Sequence, residues 1–292
     1  MEVKVARYAG VCYGVERALK LAEQAATQSG AVHSFGPLIH NPQAVSALER
    51  RGVQVAATLD EVVDGTLIIR SHGVIPDVIT DATARGLEVV DATCPHVSKA
   101  QESAKTLAAE GYFVIIVGEA DHPEVSAIRA HAGEHVLVVQ SADELPPRLG
   151  TRTVGVVVQT TQMIDVLEEV VAALLPRVSE LRVCNTICDA TAKRQVAADD
   201  LAEEVDVVVV VGGHNSGNTT RLAQICSAVN ERTYHVETPE ELDPAWFAGA
   251  ETVGVTAGAS TPGAQMAGVV ARIEEMSPAS PQERCAHEAE SR

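Results

Sequence analysis

The sequence has few aromatic residues and no apolar run long enough to cross a membrane. Phe, Trp and Tyr make up 3% of the 292 residues, so the core must be built from Val, Ile, Leu and Ala. The absence of an apolar run of about 18 residues argues against a transmembrane helix. The first ten residues, MEVKVARYAG, also lack the apolar segment that signal peptides carry. We therefore expect a cytoplasmic globular protein.

Positive charge is scarce as well. The chain has 22 Lys and Arg residues against 40 Asp and Glu residues, which gives a formal net charge of −18. A chain of this charge repels nucleic acids and anionic membranes, so we expect neither as a partner. If the substrate is an anion, its site must be locally rich in hydrogen-bond donors, because the global field opposes binding.

The six cysteines are not arranged as a disulfide framework. Their spacings are long, and thiols stay reduced in the cytoplasm. Buried thiols, a metal site and a catalytic site therefore remain as explanations.

Three segments of the chain repeat one another. Each begins with a cysteine, continues through a helical pattern and an apolar strand, and reaches a glycine 24 residues later. These cysteine and glycine pairs are Cys12 and Gly36, Cys94 and Gly118, and Cys188 and Gly212. The fourth residues after the three glycines are His40, His122 and Ser216, and the sixth are Pro42, Glu124 and Asn218.

The rest of each repeat also matches. A helix, a short strand and a capping-box signature follow, with Thr58, Ser141 or Thr238 three residues before a glutamate. A further apolar strand then ends in a polar loop, which contains His72, Thr160 or Ser260. Alternating helices and continuously apolar strands predict an α/β fold with parallel sheets. The polar loops follow the carboxyl ends of the strands, where such sheets bind ligands.

We predict three pseudo-threefold-related α/β units, which cover residues 1–93, 94–184 and 185–277. Residues 278–292 are rich in Pro, Ser and Glu, and we predict a disordered tail there. If matching loops converge on one axis, the three repeated cysteines form a triangle of thiolates.

Three thiolates could hold zinc or an iron–sulfur cluster. Structural zinc requires four ligands, usually in close sequence pairs, whereas a cubane cluster on three thiolates leaves one iron open. Cys184 competes with Cys188 as the third ligand but breaks the 24-residue spacing, and Cys226 lies in a helical pattern typical of the core. A zinc-dependent hydrolase or lyase and a non-enzymatic cluster-binding sensor remain open as alternatives.

Nine motifs along the chain carry a resemblance to a known family. They are GVCYGVERA at Cys12, LIHNPQ at His40, RSHGV at His72, VDATCPHV at Cys94, DHPEV at His122, VQTT at Thr160, ICDATAKRQ at Cys188, GGHNSGNTTRL at Ser216 and TAGASTP at Ser260. In this order they resemble the LytB-type 4-hydroxy-3-methylbut-2-enyl diphosphate reductases of the methylerythritol phosphate route to isoprenoids. The resemblance covers residues 3–275.

The resemblance implies a trefoil of α/β units around a [4Fe–4S] cluster that Cys12, Cys94 and Cys188 hold, with the fourth iron open. It implies a reductive dehydroxylation in which the allylic hydroxyl of the substrate binds that iron and water leaves. The products are then isopentenyl and dimethylallyl diphosphates. We expect a monomer that receives electrons from a carrier such as ferredoxin or flavodoxin.

The resemblance also assigns the substrate contacts. It implies that the diphosphate binds at residues His40, His72, His122, Ser216, Gly217, Asn218 and Ser260, that Thr160 lies near the substrate, and that Glu124 donates a proton. His, Ser and Asn are good donors to phosphate oxygens, and a carboxylic acid in a water-poor pocket can deliver protons. The chain departs from the family pattern at Val11 and Tyr13, which flank the first cysteine. It departs again at Gly217, where many members have a second serine.

Overall fold

The strands form three four-stranded sheets in which all pairings are parallel. The computed structural model describes residues 1–28 and 30–276, and within them the sheet orders are β3-β2-β4-β5, β7-β6-β8-β9 and β1-β12-β10-β11. The α/β class predicted from the sequence is confirmed. The tail predicted for residues 278–292 lies outside the described residues.

The twelve strands of the described residues are short. They are β1 (Glu2–Val5), β2 (Val32–Phe35), β3 (Val53–Ala56), β4 (Thr66–Ile69), β5 (Glu88–Asp91), β6 (Phe113–Val117), β7 (Val136–Val139), β8 (Thr153–Val158), β9 (Glu180–Cys184), β10 (Val207–Val211), β11 (Thr233–Val236) and β12 (Thr252–Ala257).

Within the part of the chain that the structure describes, nine α-helices connect these strands or follow the last of them. They are α1 (Tyr13–Ala26), α2 (Pro42–Glu49), α3 (Pro76–Ala84), α4 (Pro95–Ala109), α5 (Pro123–Ala132), α6 (Ile164–Leu174), α7 (Asp189–Glu204), α8 (Gly217–Val229) and α9 (Gly263–Met276). No helix among the described residues combines the length and the apolarity that crossing a bilayer requires.

The inner strands are apolar because both of their faces are buried. In β4, the side chain of Ile68 packs into one apolar cluster, whereas Leu67 and Ile69 pack into another on the opposite face of the sheet. Strands β6 and β10 divide their residues between two clusters in the same way. Continuous Val and Ile runs are therefore required here, as expected for a parallel sheet covered by helices on both sides.

One of the two edge strands of each sheet was not predicted from the sequence. The repeat pattern predicts three strands per repeat, but each sheet has a fourth, which is β5, β9 or β1. Strands β1 and β5 have exposed residues at both ends, so they lack the continuous apolar pattern that identifies an inner strand. Strand β1 pairs with β12, far away along the chain.

The three predicted capped helices are single 3₁₀ turns, at Leu59–Glu61, Ala142–Glu144 and Pro239–Glu241. The third has the full reciprocal capping box, in which the Glu241 side chain accepts a hydrogen bond from the backbone N–H of Thr238. The crossover helices α3 and α6 were not predicted as parts of the repeat. Helix α3 joins β4 to β5, and helix α6 joins β8 to β9.

The described residues divide into two compact units. One unit contains residues 1–10 and 196–276, and the other contains the described residues between 11 and 195. Two of the three sheets therefore share one unit, and β1 belongs to the unit that contains β10, β11 and β12. The division into three domains at residues 93 and 184 stays a prediction.

Candidate functional site

The three repeated cysteines lie at the N-termini of helices. Cys12 and Cys94 are the N-cap residues of α1 and α4, and their carbonyls accept hydrogen bonds from Glu16 and Ser98. Cys188 directly precedes α7, and its carbonyl accepts hydrogen bonds from the backbone of that helix. A helix N-terminus favours negative charge, so this position stabilises a thiolate.

Strand-end loops hold two of these cysteines by their backbones. The N–H of Cys94 donates to the carbonyl of Ser71 at 2.9 Å, and the N–H of Cys188 donates to the carbonyl of Thr160 at 3.0 Å. Ser71 is fixed in turn, because both its N–H and its hydroxyl donate to the carbonyl of Leu38. The loops that carry the predicted substrate residues and the loops that carry the cysteines are therefore directly linked.

Because Gly14 has no side chain, the thiols of Cys12 and Cys94 can both lie close to the first turn of α1. A Cβ built on Gly14 would overlap Cys94 Sγ, and it would lie 3.9 Å from Cys12 Sγ. Any side chain at this position would occupy the space between the two sulfurs. The GVCYG segment therefore requires glycine for close packing.

Arg17 ties the helix of the first cysteine to the loop of the second. Its guanidinium donates to the carbonyl of Thr93 at 3.1 Å and to that of Asp91 at 3.3 Å. The Asp91 carboxylate accepts a hydrogen bond from the N–H of Thr93 at 2.8 Å, which fixes the turn before Cys94. Arg17 was not singled out from the sequence, although Lys99 and Lys193 stand at the same distance, five residues, after Cys94 and Cys188.

The thiols influence one another electrostatically. Burial raises the pKa of Cys94 and Cys188 above the ordinary value, and the nearby Cys12 raises both further. Backbone N–H groups at the start of each helix act in the opposite direction and lower both pKa values. A bound cationic metal centre would supply the positive charge that three adjacent thiolates require, so this donor set fits a thiolate-ligated metal group.

Among the described residues, His40, His72 and His122 form a group whose ligand atoms all lie within 4.8 Å of one another.

The three histidines form a triangle of stacked and edge-on imidazoles. Ring centroids lie 4.2 Å apart for His40 and His72, 5.1 Å for His40 and His122, and 5.6 Å for His72 and His122. The buried Nδ1 atom of His72 has no hydrogen-bond partner among the described residues. An orphaned polar atom of this kind indicates a ligand site.

Two imidazoles of the triangle, those of His40 and His72, favour the neutral form. Burial lowers the pKa of His40, and the charge of Arg70 lowers it further, whereas Glu119 raises it. Burial holds the pKa of His72 well below the ordinary value, and the neighbouring imidazoles and Arg70 add to this effect. Neutral imidazoles donate hydrogen bonds without carrying charge of their own.

His122 is fixed as a donor at Nε2. It is the N-cap of α5, and its Nδ1 accepts the backbone N–H of Glu124 at 3.1 Å. Because Nδ1 is an acceptor, the ring proton resides on Nε2. An N–H group and the positive charge of Arg70 both disfavour a metal cation within the triangle, so this arrangement suits an anion better than a metal.

Glu124 is buried and holds Thr160 with both carboxylate oxygens. Its Oε1 accepts the N–H of Thr160 at 2.6 Å, and its Oε2 accepts the hydroxyl of Thr160 at 2.9 Å. Only 2% of Glu124 is exposed. Since the carbonyl of Thr160 accepts the N–H of Cys188, the carboxylate is two hydrogen-bonded steps from a predicted metal ligand.

Ser216, Gly217, Asn218 and Ser260 lie in the other compact unit. Ser216 is the N-cap of α8, Gly217 is the first residue of that helix, and the Ser216 hydroxyl accepts the N–H of Thr219 at 3.4 Å. Asn218 is buried, and both its side-chain polar atoms lack hydrogen-bond partners among the described residues. Ser260 follows β12, which pairs in parallel with β10. Its loop and the Ser216 loop therefore leave the sheet at the carboxyl ends of neighbouring strands.

The other cysteines of the described residues have different surroundings. Cys226 is fully buried in α8, and burial raises the pKa of its thiol to about 12. The prediction that it belongs to the core is confirmed. Cys184, the rival of Cys188, ends β9 and packs beside the apolar cluster of Leu107 and Ile116.

The chain matches a family model described as LytB protein over residues 3–274. A protein from Geobacter sulfurreducens is 52% identical over 275 residues, which cover 94% of this chain and 98% of the relative. A protein from Pelobacter propionicus is 50% identical over 276 residues, which cover 94% of this chain and 99% of the relative. Both relatives are named 4-hydroxy-3-methylbut-2-enyl diphosphate reductase.

Two solved structures are similar to this chain. One is titled as (E)-4-hydroxy-3-methyl-but-2-enyl diphosphate reductase, the terminal enzyme of the non-mevalonate pathway. It has a TM-score of 0.70 and 44% identity, with 94% of this chain and 100% of that chain covered. The other is titled as E-1-hydroxy-2-methyl-but-2-enyl-4-diphosphate reductase from Plasmodium falciparum. It has a TM-score of 0.86 and 27% identity, with 92% of this chain and 87% of that chain covered.

Proposed function

The chain belongs to the LytB protein family, and we propose that it reduces 4-hydroxy-3-methylbut-2-enyl diphosphate to isopentenyl and dimethylallyl diphosphates. In this reaction two electrons and two protons enter, the allylic C–O bond breaks, a C–H bond forms and water leaves. A small electron carrier such as ferredoxin or flavodoxin supplies the electrons. The family predicted from the sequence motifs is confirmed.

We propose that Cys12, Cys94 and Cys188 hold one [4Fe–4S] cluster. Three soft thiol ligands at helix N-termini, with a glycine that leaves room between two of them, support this assignment. When bound, such a cluster supplies electrons and an open Lewis-acid iron. A zinc-dependent hydrolase or lyase would instead hold zinc without labile sulfide, so metal and sulfide analysis distinguishes the two.

The diphosphate end of the substrate is held by uncharged donors. His40, His72 and His122 present imidazole N–H groups, and the fixed tautomer of His122 directs its proton away from the backbone of α5. We also propose that Ser216, Gly217, Asn218 and Ser260 contribute hydrogen-bond donors to the diphosphate, as the family resemblance implies. Phosphate oxygens accept strongly from such groups, which lets a chain of net charge −18 bind an anion.

Glu124 is the proton donor in this proposal. Its two bonds to Thr160 fix the carboxyl group in one orientation, and its burial excludes water from the group that must deliver a proton. The third hypothesis, a non-enzymatic cluster sensor, gives no role to a buried acid in this position. The hydrogen-bonded link from Glu124 through Thr160 to Cys188 is the observation that best supports an enzyme, because it connects a buried acid to a proposed cluster ligand.

Turnover of the diphosphate tests the proposal. Protein purified without oxygen is given 4-hydroxy-3-methylbut-2-enyl diphosphate and a chemical reductant, and the products are measured by mass spectrometry. We expect both five-carbon diphosphates to form. Protein that retains its iron and sulfide but forms neither product would support the sensor and overturn the reductase.

A further inference from the structure

Arg70 occupies a position that recurs in all three repeats with a different residue each time. It follows β4 directly, as Gln159 follows β8 and Gly258 follows β12. In each repeat the carbonyl of the residue at this position accepts a hydrogen bond from the N–H of the residue three positions later, at 3.0 Å. The three turns are therefore equivalent, and only the side chain at their first position differs among Arg, Gln and Gly.

In the second repeat the corresponding side chain, that of Gln159, forms hydrogen bonds to the neighbouring loops. Gln159 is fully buried, its Oε1 accepts the N–H of Glu119 at 3.1 Å, and its Nε2 donates to the hydroxyl of Thr161 at 3.2 Å. Glu119 follows the strand-end glycine Gly118. The residue after the matching Gly36 is Pro37, which has no N–H to offer. Arg70 therefore cannot make the contact that Gln159 makes.

Arg70 instead retains most of its donors. Its guanidinium lies over Gly36, so close that a Cβ there would be 2.7 Å from Nη1. Its Nε donates to the carbonyl of Gly73 at 3.3 Å, and no carboxylate among the described residues pairs with it. Four of the five N–H donors of the group are thus available. A half-buried guanidinium without a counter-ion costs free energy unless a ligand supplies the negative charge.

The surroundings of Arg70 indicate which ligand that is. Gly36 begins the loop that leads to His40, and Gly73 follows His72, so both neighbours of the guanidinium belong to loops of the histidine triangle. The charge of Arg70 acts on His40 and His72 and favours their neutral forms. The charged and titratable groups that face the triangle are Arg70, Glu119 and the three imidazoles themselves.

We propose that Arg70 is a specificity residue for the diphosphate. Its guanidinium attracts the diphosphate group of the substrate to the histidine triangle. This inference rests on the proposed function, because it names the charge that the proposed diphosphate site uses. Arg is suited to this task because its planar fork matches phosphate oxygens. The effect should be larger for a diphosphate than for a monophosphate, because a diphosphate carries more charge.

Inorganic pyrophosphate and orthophosphate serve as probes, with anaerobic isothermal titration calorimetry on the cluster-containing protein. Charge-assisted hydrogen bonds contribute enough that Arg70→Gln should weaken pyrophosphate binding roughly 10–100-fold, and orthophosphate binding by a smaller factor. Arg70→Lys should recover a large part of the loss. Arg50→Gln removes the same charge from an exposed position and should change pyrophosphate binding by less than about twofold.

Turnover gives a second readout. With the diphosphate substrate, Arg70→Gln should raise KM by a factor similar to the loss in pyrophosphate affinity, while kcat and the visible absorption of the cluster stay nearly constant. Should the Gln variant fail to fold, Arg70→Met keeps the aliphatic stem over Gly36 and gives the same test.

The outcomes separate the two proposals. Wild-type protein that does not bind pyrophosphate overturns the proposed diphosphate site and Arg70 with it. Wild-type protein that binds pyrophosphate, with a folded neutral Arg70 variant that binds it equally well, overturns the role of Arg70 alone. A Lys variant that binds as weakly as the Gln variant would also overturn the proposal, because the charge would then not be the cause.

Discussion

The residues that we assign to the metal and those that we assign to the substrate leave the sheets at different strands. The cysteines follow edge strands, since Cys94 comes after β5 and Cys188 after β9, and Cys12 comes after β1. The predicted substrate residues follow inner strands, namely His40 after β2, His72 after β4, His122 after β6, Thr160 after β8, Ser216 after β10 and Ser260 after β12.

This difference explains how thiolate ligands and imidazole donors occur at the same ends of the sheets. An edge strand completes its sheet, so the chain passes straight into the first helix of the next repeat, and its cysteine becomes a residue at that helix N-terminus. The helix dipole then favours a thiolate. Among the histidines that follow inner strands, His40 and His72 are desolvated by burial, which lowers the pKa of each imidazole and favours the neutral form.

Removal of an edge-strand ligand should have the largest effect. Cys94→Ser should abolish the visible absorption of the cluster and reduce turnover below detection, because hydroxyl oxygen is a poor ligand for iron–sulfur iron. Absorption spectra and iron analysis measure this outcome. Cys184→Ser is the matched control, since Cys184 lies only four residues before Cys188 yet breaks the repeat spacing. Loss of the cluster in the Cys184 variant, with retention in a Cys188→Ser variant, would reverse our assignment of the third ligand.

Gly14→Ala tests the space between two of the thiols. The new methyl group would overlap Cys94 Sγ and lie 3.3 Å from Cys94 Cβ, so we expect less than half of the wild-type iron content. Circular dichroism should show an intact fold. Gly263→Ala is the control, because a Cβ at Gly263 meets no atom within 4 Å. Full iron content in the Gly14 variant would show that the thiols do not depend on this approach.

Glu124→Gln separates chemistry from metal binding. Loss of a positioned proton donor should lower kcat by roughly 10²–10⁴-fold, the range typical of general acid catalysis, while iron content and pyrophosphate affinity stay near wild type. The amide retains an oxygen that can accept from Thr160, so the link to Cys188 is preserved. Steady-state kinetics together with iron analysis decide the matter. A near-normal kcat would remove Glu124 from the mechanism.

His72→Gln should have the smallest effect, on stability rather than on metal content. Burial holds the pKa of His72 well below 6.5 in the folded chain. Below pH 6.5 the imidazole of His72 is therefore protonated in the unfolded chain before it is protonated in the folded chain. This histidine therefore leaves stability unchanged above pH 6.5 and lowers it as the pH falls toward the folded-state pKa. Thermal midpoints at pH 7.5 and 5.5 should differ less in the variant than in the wild type. An equal difference would show that His72 is not buried in the neutral form.

Much of the fold followed from the repeated spacing, because inner strands and strand-end glycines have strong local signals. Val207–Val211 and Phe113–Val117 are continuous apolar runs, and each continues to a glycine that begins a polar loop. The edge strands β1 and β5 carry no such signal, because the residues at both of their ends are exposed. The partner of β1 is also beyond the reach of local sequence patterns, since β12 lies about 250 residues away.

The candidate site was predictable where its residue types recur at fixed spacing, as for the cysteines and for His40 and His122. Contacts that depend on three-dimensional packing were not predictable. Arg17 reaches the carbonyls of Asp91 and Thr93 more than 70 residues away, and Gly14 matters only because a thiol from another repeat packs against it. Arg70 could be recognised only after the three turns had been matched through their hydrogen bonds.

The most direct test of this account is the iron and sulfide content of protein purified without oxygen. Three edge-strand thiols that hold one cubane predict about four iron and four sulfide per chain, with one iron more labile than the others. Cys12→Ser, Cys94→Ser and Cys188→Ser should each lose both elements. Stoichiometric zinc without sulfide in the wild-type protein would contradict the account.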